Sequence, residues 1–378
     1  MIFTLEALEA KHGDALLLHH GPKADPRLVV IDGGPRGVYN KSLRPRLEEL
    51  KASRSPNGAL PIDLLMVSHI DDDHIQGVLE LVDDLVDLEQ NDEELPYDIK
   101  TLWHNGFDDL TKADPADFAS AAEAVRPVAL GDVPPTGVSR EGALILVSVP
   151  QGKKLRSQAR ALDLATPGLV TFKAASKPKA IAGGLSFRVI GPSASRVDAL
   201  RKEWTKKVKK KGKVSDVEFQ AIAAAYVDEA VANLSSIVVL ATVGKQSMLL
   251  TGDARGDDIL AALKEAKLLK AGKLHVDVLK LPHHGSNRNV ETGFFEDITA
   301  DHYVISADGR FDNPDVETLD MLAEARKRSA YTVYLTNSIP RVDKKLKAMK
   351  AANPKLKVVV RKDDEPSVRV ELGDPVPD

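Results

Sequence analysis

A largely apolar run, Ile62-Asp63-Leu64-Leu65-Met66-Val67, leads without a break into Ser68-His69-Ile70-Asp71-Asp72-Asp73-His74. The first segment reads as a buried strand, since a short apolar run closed by polar residues has that length and composition. The residues that follow, Ile75-Gln76-Gly77-Val78-Leu79, begin a helical pattern. The two histidines and three aspartates of the motif thus occupy a loop at the C-terminal end of a strand, where α/β proteins place their chemistry. His69, Asp71, Asp73 and His74 can converge from such a loop onto divalent ions, and their nitrogen and oxygen donors suit zinc, manganese or iron. The competing reading is a solvated acidic loop with incidental histidines.

The rest of the chain repeats the strand-to-polar-loop pattern. Ile2 to Leu8, Ala15 to Leu18 and Leu28 to Asp32 read as strands, the last ending in a Gly33-Gly34-Pro35 turn. A helix is expected around Ser42 to Leu50, an acidic amphipathic helix from about Val78 to Leu88, and a short strand at Thr101 to His104. From Asn105 to Gly183 the pattern weakens. It holds one expected helix at Pro115 to Val125 and another near Gly152 to Leu162, and reads as an insertion or cap, 105–183, within a single domain, 1–378. Strands resume at Leu185 to Ile190, Ser236 to Val243, Gln246 to Thr251, Val276 to Leu281, Tyr303 to Ser306 and Tyr331 to Thr336. Helices are expected at Asp257 to Leu269 and Val316 to Arg328, and the end alternates weakly from Val358 to Leu372. Strands in both halves with helices between them fit an α/β fold of two packed sheets with helices outside.

Composition bounds the chemistry. The 378 residues contain no cysteine, which excludes disulfides and thiolate metal sites and leaves His, Asp, Glu, Asn or backbone as ligands. A net charge of -4 does not mark a nucleic-acid binder. Met1 to Glu6 lacks the basic and apolar regions of a signal peptide, and no apolar run reaches membrane-spanning length. The expected location is the cytoplasm, with no membrane partner. Oligomeric state is not legible.

One segment departs from the mean charge. Arg201 to Lys213 carries eight cations against one anion. It reads as a basic loop, 201–213, either a solvated lysine loop or a phosphate-tracking patch in which Lys206, Lys207, Lys209 and Lys210 meet a backbone. Trp204 within it is a packing residue or, under the second reading, a base platform. The next helix has its own capping box, Ser215-Asp216-Val217-Glu218, which leaves the lysines in or beside a loop. A basic, exposed loop is also a target for a trypsin-like protease.

Three later segments close apolar strands with polar residues: Asn233-Leu234-Ser235-Ser236, Thr251-Gly252-Asp253 and Lys280-Leu281-Pro282-His283-His284-Gly285-Ser286. In this order, after Ser-His-x-Asp-x-Asp-His, they resemble the motif series of metallo-β-lactamase-fold hydrolases. The set is most similar to the branch that includes the hydrolase domain of ComEC-type competence proteins of DNA uptake. Gly13-Asp14-Ala15 and Ile31-Asp32-Gly33-Gly34 match the opening strands of that branch. The resemblance covers most of the chain and is weakest from Asn105 to Gly183.

The resemblance implies a four-layer αββα sandwich and two divalent metal ions, zinc or manganese. His69 and Asp71 would hold one ion, Asp71 standing where many relatives have histidine. Asp73 and His74 would hold the second, and Asp253 would bridge. One of His283 and His284 would complete the second site, with His283 preferred. Asn233 stands where relatives outside this branch carry a histidine, and Asn313 where many similar proteins have a histidine near the substrate. Lys280, His284, Ser286 and Asn313 would face substrate, and Asp73 would orient or deprotonate water. Two ions about 3.5–4 Å apart lower the pKa of water towards roughly 7 and neutralise charge on a phosphate. The expected activity is phosphodiester cleavage, most readily in DNA. Two alternatives stay open: a hydrolase of a small phosphoester or lactone, and a metal-poor regulatory scaffold, which Asn233 and Asn313 favour. His104 reads as a structural or surface residue that could reach the site. His12, His19, His20, His275 and His302 carry no motif context.

Overall fold

The computed structural model describes residues 1–106, 140–208 and 236–377, with backbone alone at 140–149, 200 and 203–208. It is a mixed α/β structure. Strands β1 (Ile2–Leu8), β2 (Leu16–Gly21), β3 (Arg27–Ile31), β5 (Leu64–Met66), β7 (Leu102–Trp103) and β16 (Ser367–Glu371) form one sheet in the order β16-β1-β2-β3-β5-β7. The second sheet has the order β15-β14-β13-β12-β11-β10-β9-β8. Its members are β8 (Lys179–Ala180), β9 (Leu185–Gly191), β10 (Val238–Val243), β11 (Gln246–Leu250), β12 (Leu274–Lys280), β13 (Ile298–Ile305), β14 (Tyr331–Leu335) and β15 (Leu356–Val360). A two-stranded pair joins β4 (Leu60–Ile62) to β6 (Tyr97–Ile99).

Period-two alternation sorts the strand residues into separate cores. Phe3, Leu5, Val29 and Ile31 of the first sheet share one core with Phe187, Val239, Met248 and Val278 of the second. The other face of the first sheet, with Leu17, Val30 and Leu65, packs on α1 (Arg44–Arg54), α2 (Asp72–Gln90) and α3 (Arg140–Ala161). The other face of the second sheet, with Leu249, Leu279 and Val333, packs on α5 (Gly256–Glu265), α6 (Thr292–Asp297), α7 (Val316–Ala325) and α8 (Pro340–Ala352). Helix α4 spans Ala194–Val208.

Strands β3, β5 and β7 run parallel, as do β11 to β15. Parallel strands end at one edge of their sheet, so the loops after β3, β5, β11, β12 and β13 can all open onto the same region.

Several boundaries differ from expectation. α2 starts at Asp72 and not near Val78, because two acids in the first turn suit the helix dipole. α3 runs through Pro150, which reads from sequence as a break. It packs on α2, with Gln151 donating to Asp72 at 3.2 Å, so this part of the expected cap leans on the motif loop. α8 is absent from the sequence reading, although Val342, Leu346 and Met349 are its buried stripe. The expected helix at Pro115 to Val125 lies outside the described residues.

The basic loop 201–213 is corrected in its first part. Arg201 to Val208 belongs to α4, since Lys, Arg and Glu are good helix formers and no Gly or Pro intervenes. Residues 209–213 lie outside the described residues.

A buried charged group ties β1 to β2. Glu6 meets His19 Nε2 at 2.7 Å and Arg46 at 3.0 Å, with all three buried. Burial opposes charge on His19 and outweighs the attraction of Glu6, so its pKa falls from 6.5 to about 4. The unfolded chain therefore binds this proton more tightly than the folded one. The stability involved is whole above pH about 6.5 and is lost as pH falls towards 4. Glu6 adds loss in the same direction. Burial raises its pKa, but its hydrogen bond and charge pairing with His19, and Arg46, outweigh burial and hold it below the ordinary value. Denaturation midpoints should drop more steeply from pH 6.5 to 4 in wild type than in His19→Gln. Parallel curves would place the acid-sensitive group elsewhere.

Candidate metal centre

The loop after β5 and the first turn of α2 carry His69, Asp71, Asp73 and His74 to one point. Asp71 occupies the N-cap position of α2 yet makes no capping hydrogen bond, and its Oδ1 is buried without a hydrogen-bond partner. An N-cap aspartate ordinarily gives its carboxylate to the helix; this one stays available. Close approach requires glycine here. A Cβ on Gly13 would lie 1.9 Å from the Asp73 carbonyl oxygen, and the Asp14 amide donates to that same carbonyl at 3.2 Å.

Asp253 follows β11 and stands at the centre. Its Oδ2 lies 3.6 Å from Nε2 of His69, His283 and His284, and its Oδ1 lies 3.4 Å from His74 Nε2. The loop after β12 supplies the last two imidazoles through a backbone that is left-handed at both His283 (φ 47°) and His284 (φ 54°). Such conformations cost about 1–3 kcal/mol each outside glycine and collect at functional sites.

The second layer sets the tautomers. Asp32, at φ 59° just past β3, accepts from His74 Nδ1 at 2.9 Å, from the Ser68 hydroxyl at 2.7 Å and from the Ser68 amide at 2.6 Å. His284 Nδ1 donates to the Ser306 carbonyl at 2.9 Å. His283 Nδ1 donates to Asn289 Oδ1 at 2.8 Å. With their Nδ1 protons committed, His74 and His284 turn their Nε2 atoms to each other at 3.2 Å. Two lone pairs at that distance repel unless a proton or cation lies between them. His69 Nε2 and Asp253 Oδ1 are also buried without a hydrogen-bond partner. This donor set fits a cation.

The field agrees. Burial opposes charge on His284, but Asp253 and Asp14 outweigh it and raise its pKa to about 9. His74 is likewise raised well above its ordinary value, with Asp253, Asp73 and Asp32 outweighing burial. Burial works against ionisation of Asp253 and Asp73, yet the surrounding imidazoles hold both below the usual carboxylate range. Among the described residues, groups that could hold a metal ion are His69, His74 and Asp253; Asp73, His74 and His284, with Asp73 half-buried; Asp14, Asp253 and His284; and Asp14, Asp32 and His74. His69, Asp71 and Asp73 form a more open group.

The structure thus gathers His69, Asp71, Asp73, His74, Asp253 and the His283–His284 pair. His284 stands in two of these groups and the half-exposed His283 in none, although both Nε2 atoms lie 3.6 Å from Asp253 Oδ2. Lys280 is buried beneath the cluster and ion-paired with Asp14. At 1% exposure it meets Asp14 and not solvent. Ser286 is buried beside His284 and accepts from the Arg288 amide at 3.4 Å. Asn313 is half-buried in the loop after β13. His104 is buried at the end of β7 and belongs to none of the candidate groups. Asn233, Lys209 and Lys210 lie outside the described residues, as do the side chains of Lys206 and Lys207.

Sequence reasoning gave no role to Asp14, Asp32 and His12. Asp32 follows an apolar strand beside glycine, as Asp253 does, and Asp14 follows Gly13 just before one; a carboxylate beside glycine at a strand terminus could have flagged both. His12 packs edge-on to Phe311 at 5.4 Å between ring centroids. Burial depresses its pKa despite the opposing field of Asp73. Nothing in the local sequence points to this contact.

Asp32→Asn should keep the fold and weaken metal binding about 10–100-fold, because it removes the carboxylate that orients His74. Competition titration against a chelating dye measures this; wild-type affinity would show that His74 is oriented without Asp32.

No protein-family model matches the chain, and no curated protein matches it.

Proposed function

We propose that the protein is a two-metal hydrolase of phosphodiester bonds with the four-layer αββα architecture of metallo-β-lactamase-like enzymes. The layer reading is supported by the core shared between the two sheets and by helices against their outer faces. The observation that carries the function is the pair of facing imidazole nitrogens, His74 and His284, ringed by Asp73, Asp253 and Asp14. His69 and Asp71 would hold one ion, Asp73, His74 and His284 the other, and Asp253 both. The oxygen-rich set favours manganese and admits zinc.

Such ions, when bound, supply Lewis acidity and make water ionise near pH 7. The chain's own residues do the rest. Asp73 keeps an ionised, partly accessible carboxylate, placed to orient a water by accepting its hydrogen bond. Asp32 and Ser306 fix the two imidazole tautomers. Asp14 and Lys280 form a buried ion pair that holds His284 from behind.

Bound metal per chain and hydrolysis of bis(p-nitrophenyl) phosphate with manganese or zinc test this reading. Metal binding with lactone cleavage and no diester cleavage would transfer the site to lactones. Absence of bound metal after equilibration would leave a scaffold.

A further inference from the structure

The charge of this protein is sharply divided. Between Arg341 and Lys362 there are nine Lys or Arg and one Asp, in a chain whose net charge is -4. Helix α2, by contrast, holds seven acids and no Lys or Arg. Lys344, Lys347 and Lys350 are exposed on α8, and Lys355 and Lys357 are exposed at and beside the edge strand β15. None of these five has a carboxylate partner among the described residues. A solvated helix normally intersperses the two signs; an uncompensated run of one sign makes a field that attracts the other.

The face is joined to the metal centre. Arg341, in the first turn of α8, donates to the Pro314 carbonyl at 2.7 Å and lies 3.8 Å from Asp312. Asp315, next in that loop, accepts from the Asn287 amide at 2.8 Å and donates its own amide to the Gly285 carbonyl at 3.1 Å. The N-terminal end of α8 therefore abuts the loop that packs on His284-Gly285-Ser286. From there the helix leads away for about 20 Å.

An exposed aromatic stands at the junction. Phe311 is 46% exposed and is held at φ 57°, followed by Asp312 at φ 64°. Its ring packs against His12, with the Arg310 guanidinium 5.1 Å from the ring centroid. A bulky residue in the left-handed region is an outlier that points to function. Exposed aromatics beside a cationic path are what single-stranded nucleic acids bind.

We propose that α8 and β15 form a track for single-stranded nucleic acid, with phosphates along Lys344, Lys347, Lys350 and Lys355 and the base nearest the metal centre stacked on Phe311. This rests on the phosphodiesterase reading for its purpose, but its test does not need catalysis. Binding of a fluorescent single-stranded DNA is measured in EDTA across 50–200 mM salt, on the order used to resolve counterion release. The variant with Gln at 344, 347, 350 and 355 should bind at least roughly tenfold more weakly at the lowest salt, with a log–log salt slope shallower by about 3, near 0.7 per lost contact. Its hydrolysis of bis(p-nitrophenyl) phosphate should match wild type. Phe311→Ala should weaken single-strand binding roughly tenfold and duplex binding less, with no change of slope.

Equal affinity and slope for the four-Gln variant would overturn the track. So would a loss seen only when Lys206, Lys207, Lys209, Lys210 and Lys211 are replaced, or wild-type binding to anionic vesicles and not to DNA. Unchanged binding by Phe311→Ala would remove the stacking contact. Diester hydrolysis without α8-dependent binding leaves the enzyme reading standing and the track refuted; α8-dependent binding without hydrolysis under any metal does the reverse.

Discussion

Asp253→Ala is expected to lose bound metal and diester hydrolysis together, with turnover down at least roughly a thousandfold, the scale of a lost pre-organised electrostatic contact. The reason is placement. One carboxylate lies within 3.6 Å of four imidazole Nε2 atoms, a position no other carboxylate shares among the described residues. Asp73→Ala should behave nearly the same, since Asp73 belongs to the groups on both sides. The fold should survive, because both residues sit past strand ends and not in the apolar cores. Elemental analysis, circular dichroism and steady-state rates at saturating manganese measure the three quantities. Wild-type turnover in either variant would end the two-metal reading.

Lys280→Met should destabilise the protein by about 3–5 kcal/mol, the usual consequence of removing one member of a buried ion pair. Both partners are nearly inaccessible, with Lys280 and Asp14 each 1% exposed. Burial opposes charge on each, but the pairing outweighs it and raises Lys280 while lowering Asp14. With the ammonium gone, Asp14 keeps only His284 and the more distant His74 at 3.4 and 3.9 Å. The double variant Asp14→Asn with Lys280→Met removes both charges and should recover most of the loss. Urea denaturation of the metal-free proteins gives the comparison, and if the single variant does not fold, recovery of folding in the double variant decides it. Equal stability of wild type and Lys280→Met would mean that the pair contributes nothing.

Much of this architecture is legible along the chain. Continuous apolar runs such as Leu28 to Ile31 and Val276 to Leu281 announce interior strands, because a strand buried on both faces needs no polar alternation. The motif Ser68 to His74 announces ligands, because that density of imidazole and carboxylate has no packing use. Other features are present in the sequence in a less legible form. The Val342, Leu346 and Met349 stripe of α8 is periodic, but the lysines between those residues obscure it. The helical start at Asp72 is hidden because acids in a first turn resemble an acidic loop.

What the chain alone determined is therefore local: which segments are strands, which loops carry ligand chemistry, and that oxygen and nitrogen, not sulfur, must bind any metal. The choice of His284 over His283 required three dimensions, since the two adjacent imidazoles differ only in where a left-handed backbone aims them. So did the placement of Asp14 and Ser306 against His284, of Lys280 against Asp14, and of Asp32 against His74. Asp14, Asp32, Lys280 and Ser306 come from four separate parts of the chain, and local propensity carries no information about such partners; the ends of β3, β12 and β13 and the turn between antiparallel β1 and β2 bring them together.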